Sequence, residues 1–426
     1  MGRSRWAPLA LGAALVVGVG ISDRWAGRTV EAQGATEYPV FEADPSWPQK
    51  LPYNWIMGHV PSVAVDSRDH VFVLSRPNTL APEDRARSAP PVVEYDPAGK
   101  FVNAWGGQGI PGFDWPDSEH GIAIDYKNNV WVGGSAPVAP SLRTLNDDMI
   151  IKFTRDGKFL FQIGGRDKSP TSQNPPVVGG NKDTKSFHQA TDVFVYPKTN
   201  EAFITDGYGN RRVIVLDADT GAFKRLWGAF GKEPIDVLPA PRGGGAGRAG
   251  GAAGGGGGGG RGAAPVLDTE GEGSPQFGSP VHAVKVSNDG LVYVADRPNR
   301  RVQVFTPEGK YLKQMFLNRA GPSAQSAAGV AFSPDKEQRF LYVADYGNSH
   351  IAVVDRKTLT ILYQFGQRSA KPGDFQGIHN MAVDSKGNIY TGEVAPGARL
   401  QKFVYKGLSK TLPPNALTAA QLAATP

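Results

Sequence analysis

Residues 376–393 read QGIHNMAVDSKGNIYTGE. Two short runs rich in alternating apolar and β-branched residues flank the turn DSKGN, whose Asp, Gly and Asn favour a tight reversal of the chain. This pattern predicts a β-hairpin. His379 stands just before the first predicted strand, and its meaning depends on whether the same pattern recurs elsewhere in the chain.

Six hairpins of this kind follow one another along the chain. They read SVAVDSRDHVFVLSR, GIAIDYKNNVWVGG, DVFVYPKTNEAFITD, AVKVSNDGLVYVAD, GVAFSPDKEQRFLYVAD and NMAVDSKGNIYTGE. A third strand usually comes next, as in RRVIVLD and HIAVVDR, and then a fourth that ends near glycine, as in FVNAWGG and ILYQFGQ. Four strands repeated six times predict an all-β fold, a six-bladed β-propeller.

The predicted propeller covers residues 38–407. The opening segment EYPVFEADPSWP could supply the outer strand of the last blade and so close the ring. A glycine-rich insertion at about 240–265 cannot bury a core, and we expect a flexible surface loop there. Residues 408–426 are expected to form a peripheral or disordered tail.

Residues 1–33 resemble a targeting segment. They combine a basic start, an apolar run and small residues before a cleavage point after Ala32. We expect a signal peptide and an exported protein, periplasmic or extracellular; an uncleaved N-terminal anchor is the alternative.

Composition excludes some classes of protein. The chain has 426 residues, of which 40% are hydrophobic and 20% charged, which is typical of a soluble globular protein. Its net charge of +6 is scattered rather than gathered into basic stripes, so we expect no nucleic-acid partner. There is no cysteine, and the fold must hold together without disulfides. We expect a monomer.

Histidine recurs at one place in the repeat. When the six hairpins are aligned on the residue that ends the first strand, one column contains Pro61, His120, Thr191, His282, Ala328 and His379. The three histidines fall in the second, fourth and sixth blades, about 120° apart in a six-bladed ring. The chain has seven histidines in all, so three in one chosen column of six are not expected by chance.

Three histidines on the propeller axis would suit a metal ion. Neutral imidazoles can supply three ligands of a tetrahedral zinc site and leave the fourth position open. The column contains no soft ligand and no carboxylate, which favours zinc, although imidazole also suits copper, iron and nickel. A hydrogen-bonded structural histidine is the alternative for each residue alone.

Two arginines and a tyrosine are predicted near this site. Arg76 and Arg297 follow the second strands of their blades, where guanidinium groups could bind a carboxylate; salt bridges to neighbouring blades are the alternative. Tyr208 lies in the turn TDGYGNRR of the third blade, where it could act as a general base or could simply pack.

At these residues the sequence resembles peptidyl-α-hydroxyglycine α-amidating lyases, a family of NHL-repeat propellers. The resemblance is carried by FHQATDVFVYPKTNEAFITDGYGNRRV, SPVHAVKVSNDGLVYVADRPNRRVQVF and IHNMAVDSKGNIYTGE. It implies a zinc ion held by His120, His282 and His379, a catalytic base at Tyr208, and Arg76 and Arg297 as substrate-binding residues, with Arg76 also taking part in catalysis.

The resemblance also implies a structural calcium ion. Its ligands would be the backbone carbonyls of Val63 and Ile122 and the side chain after the last histidine, which is Asn380 here instead of an acid. A neutral ligand predicts weaker calcium binding. The family's disulfides are absent, and Gly209 stands beside Tyr208 where a cysteine is expected, which predicts a less restrained turn.

Three functions follow as hypotheses. The first is an exported zinc lyase that cleaves the C–N bond of a peptidyl- or N-acyl-α-hydroxyglycine to give an amide and glyoxylate. The second is a metal-dependent propeller lactonase or esterase. The third is a secreted NHL propeller that binds peptides, glycans or a protein partner without catalysis.

Overall fold

Six four-stranded antiparallel sheets make up the core of the protein. The computed structural model describes residues 37–136, 145–172, 179–236, 271–321, 323 and 325–424. The chain divides into two units, Met1–Glu37 and Tyr38–Pro426, and all six sheets belong to the second. The predicted targeting segment and the glycine-rich insertion fall on residues outside the described ranges.

The first three blades each use four consecutive strands. Blade 1 consists of β2 (His59–Val65), β3 (Val71–Arg76), β4 (Val92–Tyr95) and β5 (Phe101–Trp105). Blade 2 consists of β6 (Glu119–Ile124), β7 (Val130–Gly134), β8 (Asp147–Phe153) and β9 (Phe159–Arg166). Blade 3 consists of β10 (Ala190–Tyr196), β11 (Glu201–Asp206), β12 (Arg212–Asp217) and β13 (Phe223–Trp227).

The last three blades complete the ring. Blade 4 consists of β14 (Val281–Val286), β15 (Val292–Asp296), β16 (Arg301–Phe305) and β17 (Tyr311–Phe316). Blade 5 consists of β18 (Ala327–Phe332), β19 (Phe340–Asp345), β20 (His350–Asp355) and β21 (Thr360–Phe365). Blade 6 consists of β22 (Ile378–Val383), β23 (Ile389–Glu393), β24 (Leu400–Ser409) and β1 (Tyr38–Ala43). Short 3-10 turns lie at Pro52–Asn54, Pro77–Thr79, Pro82–Arg87, Pro170–Ser172, Ala229–Gly231 and Arg297–Asn299.

The first strand of each blade lies innermost. It packs against the first strands of both neighbouring blades, and β22 packs against β2, so the ring is closed. The sequence prediction of a six-bladed β-propeller is confirmed. Strand β1 pairs with β24 as the outermost strand of blade 6, with Tyr38 opposite Ser409. The N-terminal strand thus covers an edge that would otherwise be exposed, as the sequence suggested.

Apolar side chains fill the spaces between blades. Between blades 1 and 2, for example, Phe72 and Leu74 pack with Ile122, Val130 and Met149. Each sheet has both faces covered, because a blade has a neighbour on either side. This explains why the inner strands are rich in valine, isoleucine and alanine over most of their length.

Aspartates hold the turns at the end of the inner strands. Asp66, Asp125 and Asp384 each accept hydrogen bonds on one carboxylate oxygen from the backbone N–H groups two and four residues later. Such side-chain acceptors satisfy turn donors that the strands leave unpaired. The alignment residue used in the sequence analysis therefore marks a real structural feature in these three blades.

At the opposite ends of three blades, a buried acidic residue at the end of the second strand pairs with an arginine. The pairs are Asp206 with Arg212, Asp296 with Arg301, and Glu393 with Arg399. Each acid also accepts a backbone N–H from the segment that enters its blade. These contacts fix the loops around that mouth of the channel.

The C-terminal segment packs back on the ring beyond the predicted end of the propeller. Strand β24 continues to Ser409, and the backbone N–H of Leu417 donates to the carbonyl of Gln364 at 2.7 Å. A six-residue helix, α1 (Ala419–Ala424), follows. No helix in the described part of the chain is long and apolar enough to cross a membrane.

Candidate metal centre

Every inner strand has an irregularity at the same repeat position. The ladder between the first and second strands shifts register between Glu119 and Gly121 in blade 2, and at the matching place in the other five blades. In blades 2, 4 and 6 the residue inside this bulge is His120, His282 or His379. A β-bulge turns a side chain out of the regular pleat, which is how a strand can aim it at the channel.

Gly121, the residue after His120, lets blades 2 and 3 approach each other closely. A Cβ on Gly121 would lie 2.4 Å from the carbonyl oxygen of Thr191 in the next blade. Only glycine fits there without movement of the backbone. The close approach brings the Thr191 carbonyl within reach of His120.

Each histidine donates a hydrogen bond to the bulge residue of the following blade. The Nδ1–H groups of His120, His282 and His379 donate to the carbonyl oxygens of Thr191 at 2.8 Å, Ala328 at 2.6 Å and Pro61 at 2.7 Å. A carbonyl can only accept, so the hydrogen lies on Nδ1 and each Nε2 presents a lone pair. The non-histidine members of the column therefore set the orientation of the histidines.

The three Nε2 atoms converge. The ligand nitrogens lie within 4.8 Å of one another, and the Nε2 atoms of His282 and His379 are 3.2 Å apart. The ring centroids are separated by 4.6 to 4.9 Å. His120, His282 and His379 are 2%, 1% and 3% exposed, so these nitrogens face one another away from bulk water.

This arrangement fits a metal ion. Nitrogen ligands about 2.0–2.1 Å from a tetrahedral zinc lie about 3.3 Å from each other. With both Nδ1 atoms protonated, the Nε2 atoms of His282 and His379 are two acceptors with no hydrogen between them, and a cation would relieve that contact. Burial lowers the pKa of all three imidazoles well below 6.5, with nearby Arg297 lowering it further. The rings are thus neutral near pH 7, as ligands must be.

Tyr208 reaches this cluster from blade 3. Its hydroxyl lies 3.1 Å from Nε2 of His120, and the two rings meet edge to face. The turn is held at both ends: the Tyr208 N–H donates to the carbonyl of Gln189 at 3.3 Å, and the Ser279 hydroxyl donates to the Tyr208 carbonyl at 2.6 Å. These two hydrogen bonds hold the turn in a chain that has no cysteine, and its lower restraint relative to the family stays a prediction.

Gly209 shows that a cysteine would not fit in this turn. A Cβ at Gly209 would lie 2.1 Å from Cγ of His188. The imidazole of His188 fills the space beside the turn and contacts the Thr171 hydroxyl through Nδ1 at 2.6 Å. The packing of His188 against Gly209 thus helps to hold the turn.

The two arginines lie on opposite blades of the ring. Arg76 donates from Nε to the carbonyl of Glu119 at 2.6 Å, which is the residue before His120. Arg297 donates from Nε to Oε1 of Gln325 at 2.9 Å, and its Cζ lies 5.7 Å from the centre of the Tyr208 ring. Neither guanidinium forms an ion pair with an acidic side chain in the described residues, so the salt-bridge interpretation finds no support there.

The residues predicted to bind calcium occupy the inner strands of blades 1, 2 and 6. Val63 and Ile122 are buried in neighbouring strands. The side-chain amide of Asn380 donates to the Ser62 hydroxyl at 2.9 Å, while its oxygen accepts the Met381 N–H at 2.7 Å. The oxygen of Asn380 thus already accepts one hydrogen bond, and calcium binding stays a prediction.

The histidines outside the column make other contacts. His70 contacts Glu94 at 2.6 Å at the far end of blade 1, and Nδ1 of His350 lies 2.7 Å from the carbonyl of Gly366. Within the described part of the chain, the three column histidines are the one group of His, Cys, Asp or Glu side chains placed to hold a metal.

Sequence analysis missed Tyr346. This residue follows Asp345 at the end of β19, and its ring lies 6.0 Å from that of His379. Arg76 and Arg297 stand at the matching position of their blades, so an alignment of that position across the whole repeat would have found it. The backbone carbonyls that orient the histidines were also missed, because a carbonyl carries no residue-type signal.

Comparison with known proteins supports this architecture. The NHL repeat family model matches residues 281–305, which span β14 to β16. Mouse NHL repeat-containing protein 3 is 24% identical over 390 residues, covering 86% of this chain and 85% of that protein. Together these matches support homology to NHL-repeat proteins.

Two further relatives carry amidation in their names. Peptidyl-glycine alpha-amidating monooxygenase B of Xenopus laevis is 25% identical over 378 residues, covering 84% of this chain and 35% of that protein. Peptidyl-alpha-hydroxyglycine alpha-amidating lyase 1 of Drosophila melanogaster is 24% identical over 319 residues, covering 70% of this chain and 48% of that protein. The aligned part thus spans about a third of the frog protein and about half of the fly protein, and at these identities the homology is distant.

Proposed function

We propose that this protein is a zinc-dependent lyase that cleaves the C–N bond of a peptidyl- or N-acyl-α-hydroxyglycine and releases an amide and glyoxylate. The observation that carries the proposal is the Tyr208 hydroxyl 3.1 Å from Nε2 of His120, beside three converging imidazoles. The fly relative, which is named for this reaction, supports it as a distant homologue.

The metal is assigned from its ligands. His120, His282 and His379 would hold it through Nε2, and neutral nitrogen ligands without thiolate or carboxylate favour zinc. When bound, a zinc ion would supply Lewis-acid stabilisation of negative charge on substrate oxygen.

The protein's own side chains would divide the remaining work. Arg297 and Arg76 would bind the substrate carboxylate and orient the hydroxyl toward Tyr208. Tyr208, as a phenolate, would take the proton from that hydroxyl. The oxygen's electron pair would then form the C=O bond of glyoxylate while the C–N bond breaks, and the departing nitrogen would take the proton back from Tyr208 to give the amide.

A binding protein without catalytic activity is the second candidate. It is favoured by the match to mouse NHL repeat-containing protein 3, which covers most of both chains at the same 24% identity as the fly lyase. This candidate requires no metal and predicts that alanine is tolerated at His120, His282 and His379.

We further propose that the protein is exported and acts as a monomer on a small-molecule or peptide substrate. The proposal of export rests on the targeting pattern of residues 1–33. Calcium binding near Val63, Ile122 and Asn380 is proposed only on the resemblance.

Metal analysis combined with a glyoxylate assay tests the lyase proposal. The purified protein should contain about one zinc per chain and release glyoxylate from N-acetyl-α-hydroxyglycine, and His282→Ala should lose both. His70→Gln is the matched control, since His70 lies at the other end of a blade and pairs with Glu94. Bound zinc without glyoxylate would refute this substrate class, and no bound metal in the wild type would favour the binding protein.

A further inference from the structure

Tyr346 occupies the same repeat position as the two substrate-binding arginines. The second strands of blades 4 and 5 end VYVAD and FLYVAD, and the next residues are Arg297 and Tyr346. In blade 1 the corresponding residue is Arg76. The fold therefore projects Tyr346 from blade 5 toward the same mouth of the channel as the arginines.

The rings of Tyr346 and Tyr208 both contact the guanidinium group of Arg297. The guanidinium carbon lies 5.2 Å from the centre of the Tyr346 ring and 5.7 Å from that of Tyr208. Both distances fall within the range of cation–π attraction. Arg297 of blade 4 is thus held between a tyrosine of blade 3 and a tyrosine of blade 5.

The same ring borders the metal centre. It meets the His379 ring edge to face, with centroids 6.0 Å apart, whereas Tyr208 lies nearest His120. Arg76 interacts electrostatically with both phenols. Burial lowers the pKa of Arg76, and Tyr208 and Tyr346 each partly offset that lowering. A substrate bound over the histidines would therefore have Tyr208 and Tyr346 on two sides and an arginine on each of two opposite blades.

The two tyrosine hydroxyls differ in their partners. The Tyr208 hydroxyl contacts Nε2 of His120. The Tyr346 backbone N–H donates to the Ser326 carbonyl at 3.0 Å, which fixes the residue, but its hydroxyl has no hydrogen-bond partner among the described residues. Among the described residues, the Arg297 side chain makes one hydrogen bond, from Nε to Gln325. Its terminal nitrogens are therefore free to bind a ligand.

We propose that Tyr346 is a second substrate-binding phenol, which donates its hydroxyl hydrogen to the carboxylate that Arg297 binds. The chemistry of the substrate rests on the proposed lyase function. A carboxylate has several acceptor sites and can take bonds from a guanidinium and a phenol together. The packing of Tyr346 on Arg297 holds both donors in one place before the substrate arrives.

Steady-state kinetics separate this role from that of Tyr208. Tyr346→Phe keeps the ring against Arg297 and removes only the hydroxyl, so KM for N-acetyl-α-hydroxyglycine should rise about 10-fold or more, as for a lost hydrogen bond to a charged group, while kcat stays within about twofold. Tyr346→Leu removes the ring as well and should raise KM further. Tyr208→Phe should instead lower kcat. Unchanged KM in Tyr346→Phe would overturn the proposal.

Equilibrium binding tests the same residue without requiring turnover. N-acetylglycine has the carboxylate but no hydroxyl to react, and N-acetylglycinamide replaces the carboxylate with a neutral amide. Calorimetry on the zinc-loaded wild type should show tighter binding of the acid than of the amide, and Tyr346→Phe should reduce that preference about 10-fold with its zinc content unchanged, because the two arginines remain. An equal preference in Tyr346→Phe, or no preference in the wild type, would refute the role of Tyr346 whether or not glyoxylate is released.

Discussion

Alternate blades use one backbone position in two different ways. In blades 2, 4 and 6 the bulge of the inner strand holds a histidine, whose Nε2 faces the axis. In blades 3, 5 and 1 the same bulge offers only a carbonyl oxygen, which accepts the Nδ1–H of the histidine before it. One set of blades supplies converging imidazole nitrogens, and the other set orients them.

This difference shows how a repeated fold acquires a single centre. All six blades share the bulge, so the repeat provides six equivalent places around the axis. Histidine at every second place gives three convergent imidazoles that could surround one tetrahedral metal ion. The intervening blades contribute three of the rim residues, Arg76, Tyr208 and Tyr346 from blades 1, 3 and 5, whereas Arg297 comes from blade 4, which also supplies His282.

The largest expected effect comes from substituting one bulge residue in each of the two sets of blades. His379→Ala removes a ligand and should cost more than the 10–100-fold in metal affinity that is typical of losing an outer partner. Ala328→Ser changes a blade that contributes only its carbonyl, and the variant should keep its metal. Metal content after dialysis against a weak chelator measures both.

The control for that comparison is the unfolding midpoint of each variant without metal. Similar midpoints would show that metal loss in His379→Ala reflects the missing ligand and not a misfolded blade. Equal metal loss in Ala328→Ser and His379→Ala would contradict the division of roles between alternate blades.

The second prediction concerns the rim. Tyr208→Phe removes the phenol hydroxyl that contacts His120 and should lower kcat by roughly 10²- to 10⁴-fold, as expected for loss of a general base. Zinc content should be unchanged, because blade 3 supplies no ligand side chain. A Tyr208→Phe variant that turns over at the wild-type rate would remove Tyr208 from the mechanism.

The sequence predicted which histidines meet because repeats can be aligned by residue type. The hairpins predicted the number of blades, and the column with His120, His282 and His379 predicted three imidazoles that converge; that they hold a metal stays a prediction. The bulge and the Nδ1 contacts could not be predicted, since both depend on backbone geometry that any residue can adopt. Tyr346 was missed because only arginine was sought at its position in the repeat.

The third prediction concerns Asp148, which differs from Asp296, another buried acid near the mouth of the channel. Asp296 pairs with Arg301, whereas Asp148 forms no ion pair within the described ranges and interacts with the Ser169 N–H at 2.9 Å and with the Ser172 side chain. Burial, with a smaller contribution from nearby Asp206, raises the pKa of Asp148 to about 8. The folded protein thus holds a proton on Asp148 that the unfolded chain releases near pH 4.

The sign of the pH effect follows from that pKa. The contribution of Asp148 to stability is fully present below about pH 4 and is lost as the pH rises toward 8, at up to about 1.4 kcal/mol for each pH unit. Asp148→Asn cannot titrate, so its urea midpoint should fall less than that of the wild type between pH 5 and pH 8. Chelator in both samples removes the separate pH dependence of metal binding. Parallel curves would show that Asp148 does not titrate in this window.

The smallest expected effect tests how the tyrosine turn is held. Gly209→Ala would place a Cβ 2.1 Å from Cγ of His188, and the resulting shift should reduce the free energy of unfolding by about 1–3 kcal/mol. It should also lower kcat with zinc retained, since the turn carries Tyr208. In Gly209→Ala combined with His188→Ala the clash is absent, and the double variant should be more stable than the sum of the single losses predicts. Strictly additive losses would show that Gly209 and His188 are not in energetic contact. The hydrogen bonds to Gln189 and Ser279 would then be enough to position the Tyr208 phenol beside His120.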